Sequence, residues 1–369
     1  MGGLENVSAA EFWRGKRVFV TGHTGFKGGW LAVWLSELGA DVTGYGLDPD
    51  TEPSFYRRCG LRDHIRPITG DVRDELQLRS AIETAQPEII FHLAAQALVR
   101  RSYREPVETF ATNVMGTVHA LEAARRCGAI RAVVIVTSDK CYENREWLWA
   151  YRENEPLGGR DPYSASKGCA ELVTAAFRAS YFERAERPVG IATARAGNVI
   201  GGGDWSEDRL VPDSMRALCR GERIEVRNPH AIRPWQHVLE PLAGYLLLAR
   251  KLYEDAGAWS GAWNFGPPEQ EAVTVASLSD LIVSFWQGAS SNGAGWQDIS
   301  GGEAPHEAQF LKLDSSKARQ QLGWRPRLTL PEAVRMTVEW YRRSSEAMTP
   351  SEVLDITREQ IASYQRASV

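Results

Sequence analysis

The sequence lacks long hydrophobic runs, an excess of basic residues and a signal-like N-terminus. Its longest apolar runs, VVIV (133–136) and GYLLLA (244–249), fall far short of a membrane span. A formal net charge of -4 offers no basic field to nucleic acid, and the N-terminal MGGLENVSAAEFWRGKR has no apolar segment of the kind found in secretory signals. We therefore expect a cytoplasmic protein with neither a membrane nor a nucleic acid as partner.

Cysteine and metal-binding spacings are also scarce. The five cysteines are scattered along 369 residues without a CxxC pair, which favours free thiols in a reducing compartment over a disulfide framework. The seven histidines show no HExxH spacing, so we expect no metal site.

The sequence does contain a regular alternation of β-rich runs and helix-like segments. The runs predicted as strands are 16–22, 41–47, 65–72, 88–95, 130–137 and 189–195. Helix-like segments separate them, at 26–38, 74–85, 106–127 and 162–185. Because strands that alternate with helices favour a parallel sheet covered on both faces, we predict an α/β fold with a doubly wound, Rossmann-like sheet.

The second half of the chain has a different texture. GNVIGGGDWSEDR (197–209) is glycine-rich and polar, and 290–307 also reads as a loop. Helical segments are predicted at 210–220, 238–254, 274–287 and 331–347. We predict a first domain over 1–196, to which some later segments return, and a smaller and partly interleaved substrate domain over 197–350. A polar C-terminal tail over 351–369 is expected to form a short helix with a frayed end.

A glycine turn follows the first predicted strand and opens a helix. VTGHTGFKGGW places Gly22, Gly25 and Gly28 at GxxGxxG spacing. Glycines let a backbone approach a pyrophosphate closely, and a helix N-terminus stabilises its charge, so this turn predicts a dinucleotide site. Phe26 and Lys27 belong to the same turn, and Lys27 is either a phosphate contact or a solvated lysine.

Two acids follow the second and third strands and are candidates for the adenosine half. Asp48 is the candidate ligand of the ribose, and Asp71, followed by Val72, can reach an adenine amino group or can be a surface turn acid. Residues 44–56 contain no Arg or Lys, which disfavours a 2′-phosphate and favours NAD over NADP.

Tyr163 and Lys167 stand at i and i+4 in DPYSASKGCAE, so a helix places them on one face. A free tyrosine has a pKa of about 10 and is a poor base at neutral pH. A nearby ammonium and a nicotinamide cation should lower the pKa of Tyr163. Tyrosine can then take a proton from a sugar hydroxyl while hydride leaves the same carbon.

With FHLAAQ (91–96), TSDKCY (137–142) and the C-terminal KLDSSKARQQLGW (312–324), these motifs make the chain resemble an extended short-chain dehydrogenase/reductase of the nucleotide-sugar branch. GHTGFKG, TSDKCY, GNVIGGGDW and RPWQHVLEPL resemble, more narrowly, the CDP-glucose 4,6-dehydratases. This resemblance implies conversion of CDP-glucose to CDP-4-keto-6-deoxyglucose, with NAD recycled in each turnover. The helices predicted at 106–127 and 162–185 carry apolar stripes beyond what covering one sheet face needs, which predicts a homodimer through a four-helix contact, or a tetramer, and the resemblance points the same way.

The resemblance carries further residues over. For the cofactor these are the glycines, Asp71, Leu93, Ala94, Ala95, Asn113 and Thr137. Ser138 would hydrogen-bond the sugar hydroxyl at C4 beside Tyr163 and Lys167. Related dTDP-sugar dehydratases carry Asp–Glu where this chain has Asp139–Lys140, and the CDP-sugar enzymes resemble the Asp–Lys form.

Ser138, Asp139 and Lys140 supply a hydroxyl, a carboxyl and an amine to a dehydration across C5–C6. Asp139, if protonated, gives its proton to the departing hydroxyl. Lys140 removes the C5 proton, which requires a depressed pKa. Alternatively, Lys140 stays charged and stabilises the enolate, and another group or water removes the proton. A surface ion pair is the simple alternative. Because adjacent strand residues point to opposite faces, a joint role requires a break in the strand.

Substrate phosphates need cations and amides. Arg209 and Arg233 are the candidates for forked contacts to the diphosphate, Asn198 for a further hydrogen bond and Gln96 for approach to the sugar. A surface salt bridge is the alternative for either arginine. Other readings remain open: a dehydratase of another nucleotide sugar, a nucleotide-sugar 4-epimerase, or a non-catalytic NAD-binding sensor.

Overall fold

Thirteen strands are present in the described part of the chain, which in this computed structural model comprises residues 9–268, 271–287, 295–301, 310–344 and 347–367. In chain order they are β1 Arg17–Thr21, β2 Asp41–Gly46, β3 Arg66–Thr69, β4 Ile89–His92, β5 Ala132–Val136, β6 Gly190–Arg195, β7 Val199–Ile200, β8 Ile224–Val226, β9 Ile232–Pro234, β10 Gln236–His237, β11 Gly261–Asn264, β12 Ala272–Thr274 and β13 Trp296–Asp298.

Helices separate and cover these strands. They are α1 Ala9–Trp13, α2 Phe26–Glu37, α3 Phe55–Arg58, α4 Glu75–Ala85, α5 Val99–Arg104, α6 Pro106–Phe110, α7 Gly116–Arg126, α8 Pro162–Phe177, α9 Leu210–Cys219, α10 Leu239–Glu254, α11 Ala256–Trp259, α12 Val275–Gln287, α13 Leu330–Arg343 and α14 Pro350–Arg366. Short 3₁₀ segments lie at Leu61–Asp63 and Asp139–Cys141, and π-helical turns at Ala111–Met115, Arg178–Phe182 and Ala318–Leu322.

A seven-stranded sheet has the order β3–β2–β1–β4–β5–β6–β11, and its pairs are parallel. The order reverses between β1 and β4, and in such sheets ligands bind beyond the carboxyl ends of the strands at this reversal. The predicted doubly wound, Rossmann-like α/β fold is confirmed. The six predicted strands are present, and β11 adds a seventh at the edge by pairing with β6.

Both faces of the sheet are covered, which explains its apolar strands. Every residue of β4 and β5 is buried. Successive residues of β5 belong to different hydrophobic cores, because strand side chains alternate between faces. Val134 packs in the core that includes α2, α10 and α13, whereas Val133 packs in the core that includes α4 and α7.

The C-terminal part of the chain differs from two sequence expectations. Part of the segment predicted as a loop at 290–307 forms β13, which pairs with β8, and 290–294 and 302–307 lie outside the described residues. The expected polar tail at 351–369 is largely α14, which buries Val353, Leu354 and Ile361 and contacts α2 and α13. Its apolar residues recur at helical spacing, a pattern that the polar composition concealed.

The boundary near residue 196 stays a prediction. β11 returns to the main sheet, while the small sheets β7–β10, β9–β12 and β8–β13 lie in the later part of the chain. Within the described residues, no helix combines the length and the apolar character that crossing a membrane requires.

Candidate active site

A cleft of about 2150 Å³ runs along the carboxyl edge of the sheet. Loops that follow β1 to β6 form one wall, and residues from α9, β8 and β9 form part of the other. A pocket for one small ligand has a volume of roughly 300–1,000 Å³. This cleft therefore has room for a dinucleotide and a second nucleotide together.

In the glycine turn, Gly22 and Gly28 lie against neighbouring backbone atoms, whereas Gly25 has space for a side chain. Gly22 has a φ of +75°, and a Cβ built on it would lie 2.7 Å from the Ala94 backbone nitrogen. A Cβ on Gly28 would lie 2.1 Å from the Gly22 carbonyl oxygen. At Gly25 the nearest such atom is 3.5 Å away, and α2 begins there without a side-chain cap. The first amides of α2 are thus available to an anion, as a pyrophosphate requires.

Phe26 and Lys27 line the cleft beside this turn. Burial lowers the pKa of Lys27 to about 7, and the nearby charges of Arg209 and Lys167 lower it further, while Asp139 raises it. This position disagrees with the alternative of a solvated surface lysine. The Phe26 ring lies against Gly201, where an added Cβ would be 3.0 Å from it.

Asp48 and Asp71, the two candidate ligands of the adenosine half, both line the cleft, but their surroundings differ. Asp48 is exposed after the end of β2. The Asp71 carboxylate accepts hydrogen bonds from the Arg73 backbone nitrogen at 2.9 Å and from Arg73 Nε at 2.8 Å, and these bonds lower the pKa of Asp71. Asp71 therefore carries an arginine partner that the sequence argument did not include. Val72, which follows it, is buried and lines the cleft.

The 138–141 turn confirms the predicted break in the strand. β5 ends at Val136, and Asp139–Cys141 form a 3₁₀ turn. Ser138 Oγ donates to Asp139 Oδ1 at 2.9 Å and accepts from the Lys140 backbone nitrogen at 3.2 Å. Asp139 is only 3% exposed, which excludes a surface ion pair, and Lys140 is half-buried at the cleft.

The Asp139 carboxylate also lies against the segment that follows β6. Asn198 Nδ2 donates to Asp139 Oδ2 over 3.4 Å. A Cβ on Gly197 would lie 2.0 Å from the same oxygen, so only glycine permits this approach. The predicted substrate residue Asn198 is thus brought to the acid of the 138–141 turn.

Tyr163 and Lys167 both lie on the first turns of α8 and are buried at the cleft. Burial raises the pKa of Tyr163 to about 12, although a hydrogen bond with Ser138 and the charge of Arg209 lower it. The expected lowering includes the charge of a nicotinamide and stays a prediction for the NAD-bound protein; in the chain alone, desolvation of the phenolate outweighs the charges. Lys167 Nζ donates to the Val136 carbonyl at 3.3 Å, and burial lowers the pKa of Lys167 to about 8.

Glu171 and Arg195 form a buried ion pair behind the site. The sequence motifs did not predict this pair. Thr137, the candidate before Ser138, donates its hydroxyl proton to Glu171. Arg195 Nη1 donates to the Tyr142 hydroxyl at 2.6 Å. Two signals were present: Glu171 repeats the i+4 spacing after Lys167, and Arg195 is a charge at the end of an apolar strand.

The remaining cofactor candidates have two different roles: some line the cleft, and one holds neighbouring segments in place. Leu93, Ala94 and Ala95 line the cleft after β4. Asn113 is 2% exposed and donates to the Gln96 carbonyl at 3.0 Å and to Ser166 Oγ at 2.8 Å. It therefore joins the loop after β4 to α8, and the structure favours support over cofactor contact.

The substrate candidates also line the cleft, with their polar atoms partly engaged. Arg209 Nη1 lies 3.2 Å from Asp204 Oδ2, and Nη2 donates to the Ala97 carbonyl at 3.3 Å. Arg233 Nη1 donates to the Ile232 carbonyl at 2.9 Å.

The Gln96 carboxamide forms hydrogen bonds with the backbone of Leu98 in its own loop and with the Thr109 hydroxyl on α6. It therefore offers the sugar less than the sequence suggested. Among the residues that the structure describes, no group of three or more His, Cys, Asp or Glu side chains is arranged to hold a metal ion.

Comparison with known proteins places this cleft among sugar-nucleotide enzymes. A family profile described as GDP-mannose 4,6 dehydratase matches residues 19–337. A CDP-glucose 4,6-dehydratase from Salmonella typhimurium is 52% identical over 360 residues, which cover 97% of this chain and 98% of that protein.

Two solved structures share the fold. MoeE5 in complex with UDP-glucuronic acid and NAD matches with a TM-score of 0.71 and 26% identity, over 89% of this chain and 99% of that one. A UDP-glucose 4-epimerase with UDP-glucose from Thermotoga maritima matches with a TM-score of 0.73 and 24% identity, over 89% and 99%. The likeness to the epimerase concerns the fold alone.

Proposed function

The chain belongs to the GDP-mannose 4,6-dehydratase family, and from this premise we propose that it dehydrates CDP-glucose to CDP-4-keto-6-deoxyglucose. It is a hydro-lyase that uses NAD catalytically. The 52% identity to a CDP-glucose 4,6-dehydratase, over almost the full length of both proteins, supports this substrate over GDP-mannose and dTDP-glucose.

The observation that carries the proposal is the position of Asp139. A buried carboxyl group stands beside Ser138 and Tyr163 on a turn that presents Lys140 to the same cleft. A 4-epimerase oxidises and reduces one carbon and needs no acid for a leaving hydroxyl. Elimination of water needs that acid, so this arrangement favours the dehydratase.

The glycine turn and the wall after β4 fit a dinucleotide. Gly25 and the uncapped start of α2 would hold the pyrophosphate, and Leu93, Ala94 and Ala95 would border the nicotinamide half. These residues would hold NAD, which would supply the hydride acceptor for C4 of the sugar and the hydride donor for C6. The solved structure of MoeE5 with NAD, at 26% identity, supports this cofactor.

The C4 hydroxyl is handled by Ser138 and Tyr163. Ser138 would orient the hydroxyl, and Tyr163 would take its proton as C4 is oxidised. The hydrogen bond with Ser138 and the positive charge of Arg209 stabilise a phenolate, which opposes the effect of burial on the pKa of Tyr163. Lys167, held by the Val136 carbonyl, would bind the cofactor ribose and add a further charge.

Elimination across C5–C6 falls to Asp139 and Lys140. Oxidation at C4 makes the C5 proton acidic, and Asp139 would protonate the departing C6 hydroxyl. Lys140 either removes the C5 proton or remains charged and stabilises the enolate that forms while another group or water removes that proton. The atoms balance. The C5 proton and the C6 hydroxyl leave as water, the hydride taken from C4 enters at C6, and C5 then takes up one proton, which offsets the proton removed from the C4 hydroxyl.

The diphosphate of the substrate requires cations farther along the cleft. Arg209 and Arg233 would contact its oxygens, with Asn198 as a neutral donor between them and the sugar. Arg209 is already placed by Asp204 and by the Ala97 carbonyl, so little side-chain entropy remains to be lost on binding.

The test is incubation of the purified protein and NAD with CDP-glucose, UDP-glucose, dTDP-glucose and GDP-mannose in separate reactions. Mass spectrometry should find loss of one water from CDP-glucose and no comparable loss from the others. Epimerisation of a substrate without loss of mass, seen by NMR, would favour the 4-epimerase. Bound NAD without any reaction would favour the sensor.

We further propose a cytoplasmic homodimer. Exposed apolar side chains on α6, on α8 and on the π-helical turn that follows α8 include Val107, Leu172 and Tyr181, which are 82%, 59% and 49% exposed. A face of this kind is suited to a four-helix contact with a second copy. Light scattering after size exclusion should give the mass of a dimer, or of a tetramer; a monomer at micromolar concentration would contradict it.

A further inference from the structure

Glu225 and Gln297 form a polar pair on the two-stranded sheet β8–β13. The strands are parallel, and Glu225 is the register partner of Gln297. Ile224 and Val226 are buried, at 1% and 0% exposure. Because side chains alternate along a strand, Glu225 must face away from that core, and both Glu225 and Gln297 line the cleft.

A series of contacts connects this pair to the catalytic end of the cleft. Arg209, whose charge acts on Tyr163, follows Asp208 in the chain. Asp208 Oδ1 accepts from Arg227 Nη1 at 3.0 Å, and Arg227 directly follows β8, two residues beyond Glu225. The pair is thus connected, through Arg227 and Asp208, to Arg209, one of the arginines proposed for the diphosphate, as the base of a nucleotide sugar requires.

The Glu225 carboxylate has a glutamine as its hydrogen-bond partner, whereas neighbouring acidic side chains are paired with arginines. Asp204, Asp208 and Glu222 are each within 3.2 Å of an arginine nitrogen. The hydrogen bond recorded for Glu225 comes from Gln297 Nε2 to Oε1 at 3.5 Å, which is at the limit for such a bond. A ligand with a better donor can replace this contact at little cost.

We propose that Glu225, together with Gln297, selects cytosine over uracil and thymine in the nucleotide of the substrate. This inference rests on the proposed function and adds the residue that reads the base. Cytosine presents an amino group at C4 and acceptors at N3 and O2. Glu225 accepts from the amino group, and Gln297 Nε2 donates to a ring acceptor. Uracil and thymine have a carbonyl oxygen at C4, which the carboxylate repels.

The test compares the ratio of kcat/KM for CDP-glucose to kcat/KM for UDP-glucose in the wild type and in Glu225→Gln. A carboxamide can donate to the C4 oxygen of uracil, so the ratio should fall by about tenfold or more. Glu222→Gln is the matched control, because it removes the same charge three residues before Glu225. Arg220 holds the Glu222 carboxylate at 2.7 Å. Its ratio should equal that of the wild type.

Gln297→Leu supplies a second readout, because it should weaken binding of CDP to the NAD-loaded protein in calorimetry without reversing the preference for CDP over UDP. Unfolding curves establish that each variant is folded. A Glu225→Gln ratio that equals the wild-type ratio, in a folded protein that dehydrates CDP-glucose, overturns the inference and leaves the proposed function intact. If the wild type fails to dehydrate CDP-glucose, the proposed function fails, and binding of CDP against UDP still tests Glu225.

Discussion

Glu171 accepts hydrogen bonds from Nε and Nη2 of Arg195, at 2.9 Å and 2.7 Å, in an ion pair that is 3% exposed on either side. The carboxylate also holds Thr137, immediately before the 138–141 turn, and the guanidinium holds Tyr142, immediately after it. The pair therefore fixes both ends of the turn that presents the proposed acid.

Glu171→Gln should destabilise the protein strongly, because it leaves a buried guanidinium without a counter-charge. Breaking a buried pair on one side costs about 3–5 kcal/mol of unfolding free energy. Urea denaturation measures this loss. Replacing both partners by apolar residues, as in Glu171→Leu with Arg195→Met, should recover part of it.

The control is the exposed pair between Arg335 and Glu339, whose side chains are 47% and 44% exposed and 2.9 Å apart. Arg335→Ala should cost no more than about 1 kcal/mol, since surface pairs are weak. A Glu171→Gln variant as stable as Arg335→Ala would contradict the role assigned to the buried pair.

Gly25→Ala should reduce the affinity for NAD and leave the stability of the unliganded protein nearly unchanged. Gly25 has φ −81° and ψ 169°, which alanine tolerates, and its Cβ would enter the cleft. We expect a loss of roughly tenfold in affinity, or about 1.4 kcal/mol. Fluorescence titration with NAD and urea denaturation separate the two effects.

Gly22→Ala is the comparison for that experiment. Gly22 has a φ of +75°, and its Cβ would lie 2.7 Å from the Ala94 nitrogen, so backbone strain should cost about 1–3 kcal/mol of stability in addition to affinity. Equal stability losses in the two variants would mean that Gly25 does not open into the cofactor cleft.

His237 should make the protein less stable in acid. Burial lowers the pKa of His237 to about 3, from an ordinary value of 6.5. Between pH 6.5 and about 3, His237 is protonated in the unfolded chain but stays neutral in the folded chain. The unfolding free energy therefore falls as the pH falls, by up to about 1.4 kcal/mol per pH unit for this group.

Urea denaturation between pH 7 and pH 5 should give a shallower slope for His237→Gln than for the wild type. His23 and His92, whose pKa values burial lowers to about 4 and about 3, keep part of the slope in the variant. His64 is exposed, and His64→Gln is the surface control for the substitution itself. An unchanged slope in His237→Gln would mean that the imidazole is protonated in the fold.

Local patterns predict the sheet well, because β1 to β6 are apolar runs bounded by turns and the sheet buries both faces. β11 was missed, since GAWN (261–264) is a four-residue strand whose pairing with β6 depends on a partner about 70 residues earlier. The i, i+4 spacing likewise predicted that Tyr163 and Lys167 share a helix face.

The electrostatics of the site could not be read from the chain, because they depend on burial. The expected lowering of the pKa of Tyr163 counted the charges but not the desolvation, which raises it. Asp139 lies against Gly197, 58 residues away in sequence, and no local pattern records this approach. Nor does any pattern give Asp71 its Arg73 partner, although both belong to one turn.

Lys140→Met should separate oxidation from elimination. Tyr163 and Ser138 remain, so C4 oxidation should proceed and reduced nicotinamide should accumulate on the enzyme, visible by its absorbance. Water loss should fall by about 10²–10⁴-fold, the usual contribution of a positioned acid or base. The bond from the Lys140 backbone nitrogen to Ser138 does not involve the side chain, so the turn should persist.

Lys140→Arg then distinguishes the two roles of the amine. An arginine keeps the positive charge but does not release its proton at any pH that the protein survives. If Lys140 stabilises the enolate, Lys140→Arg should retain much more water loss than Lys140→Met, as mass spectrometry would measure. If Lys140 is the base for the C5 proton, both variants should be equally impaired. Dehydration at the wild-type rate in Lys140→Met would remove this side chain from the mechanism, and Asp139 would have to act with a group from another part of the cleft.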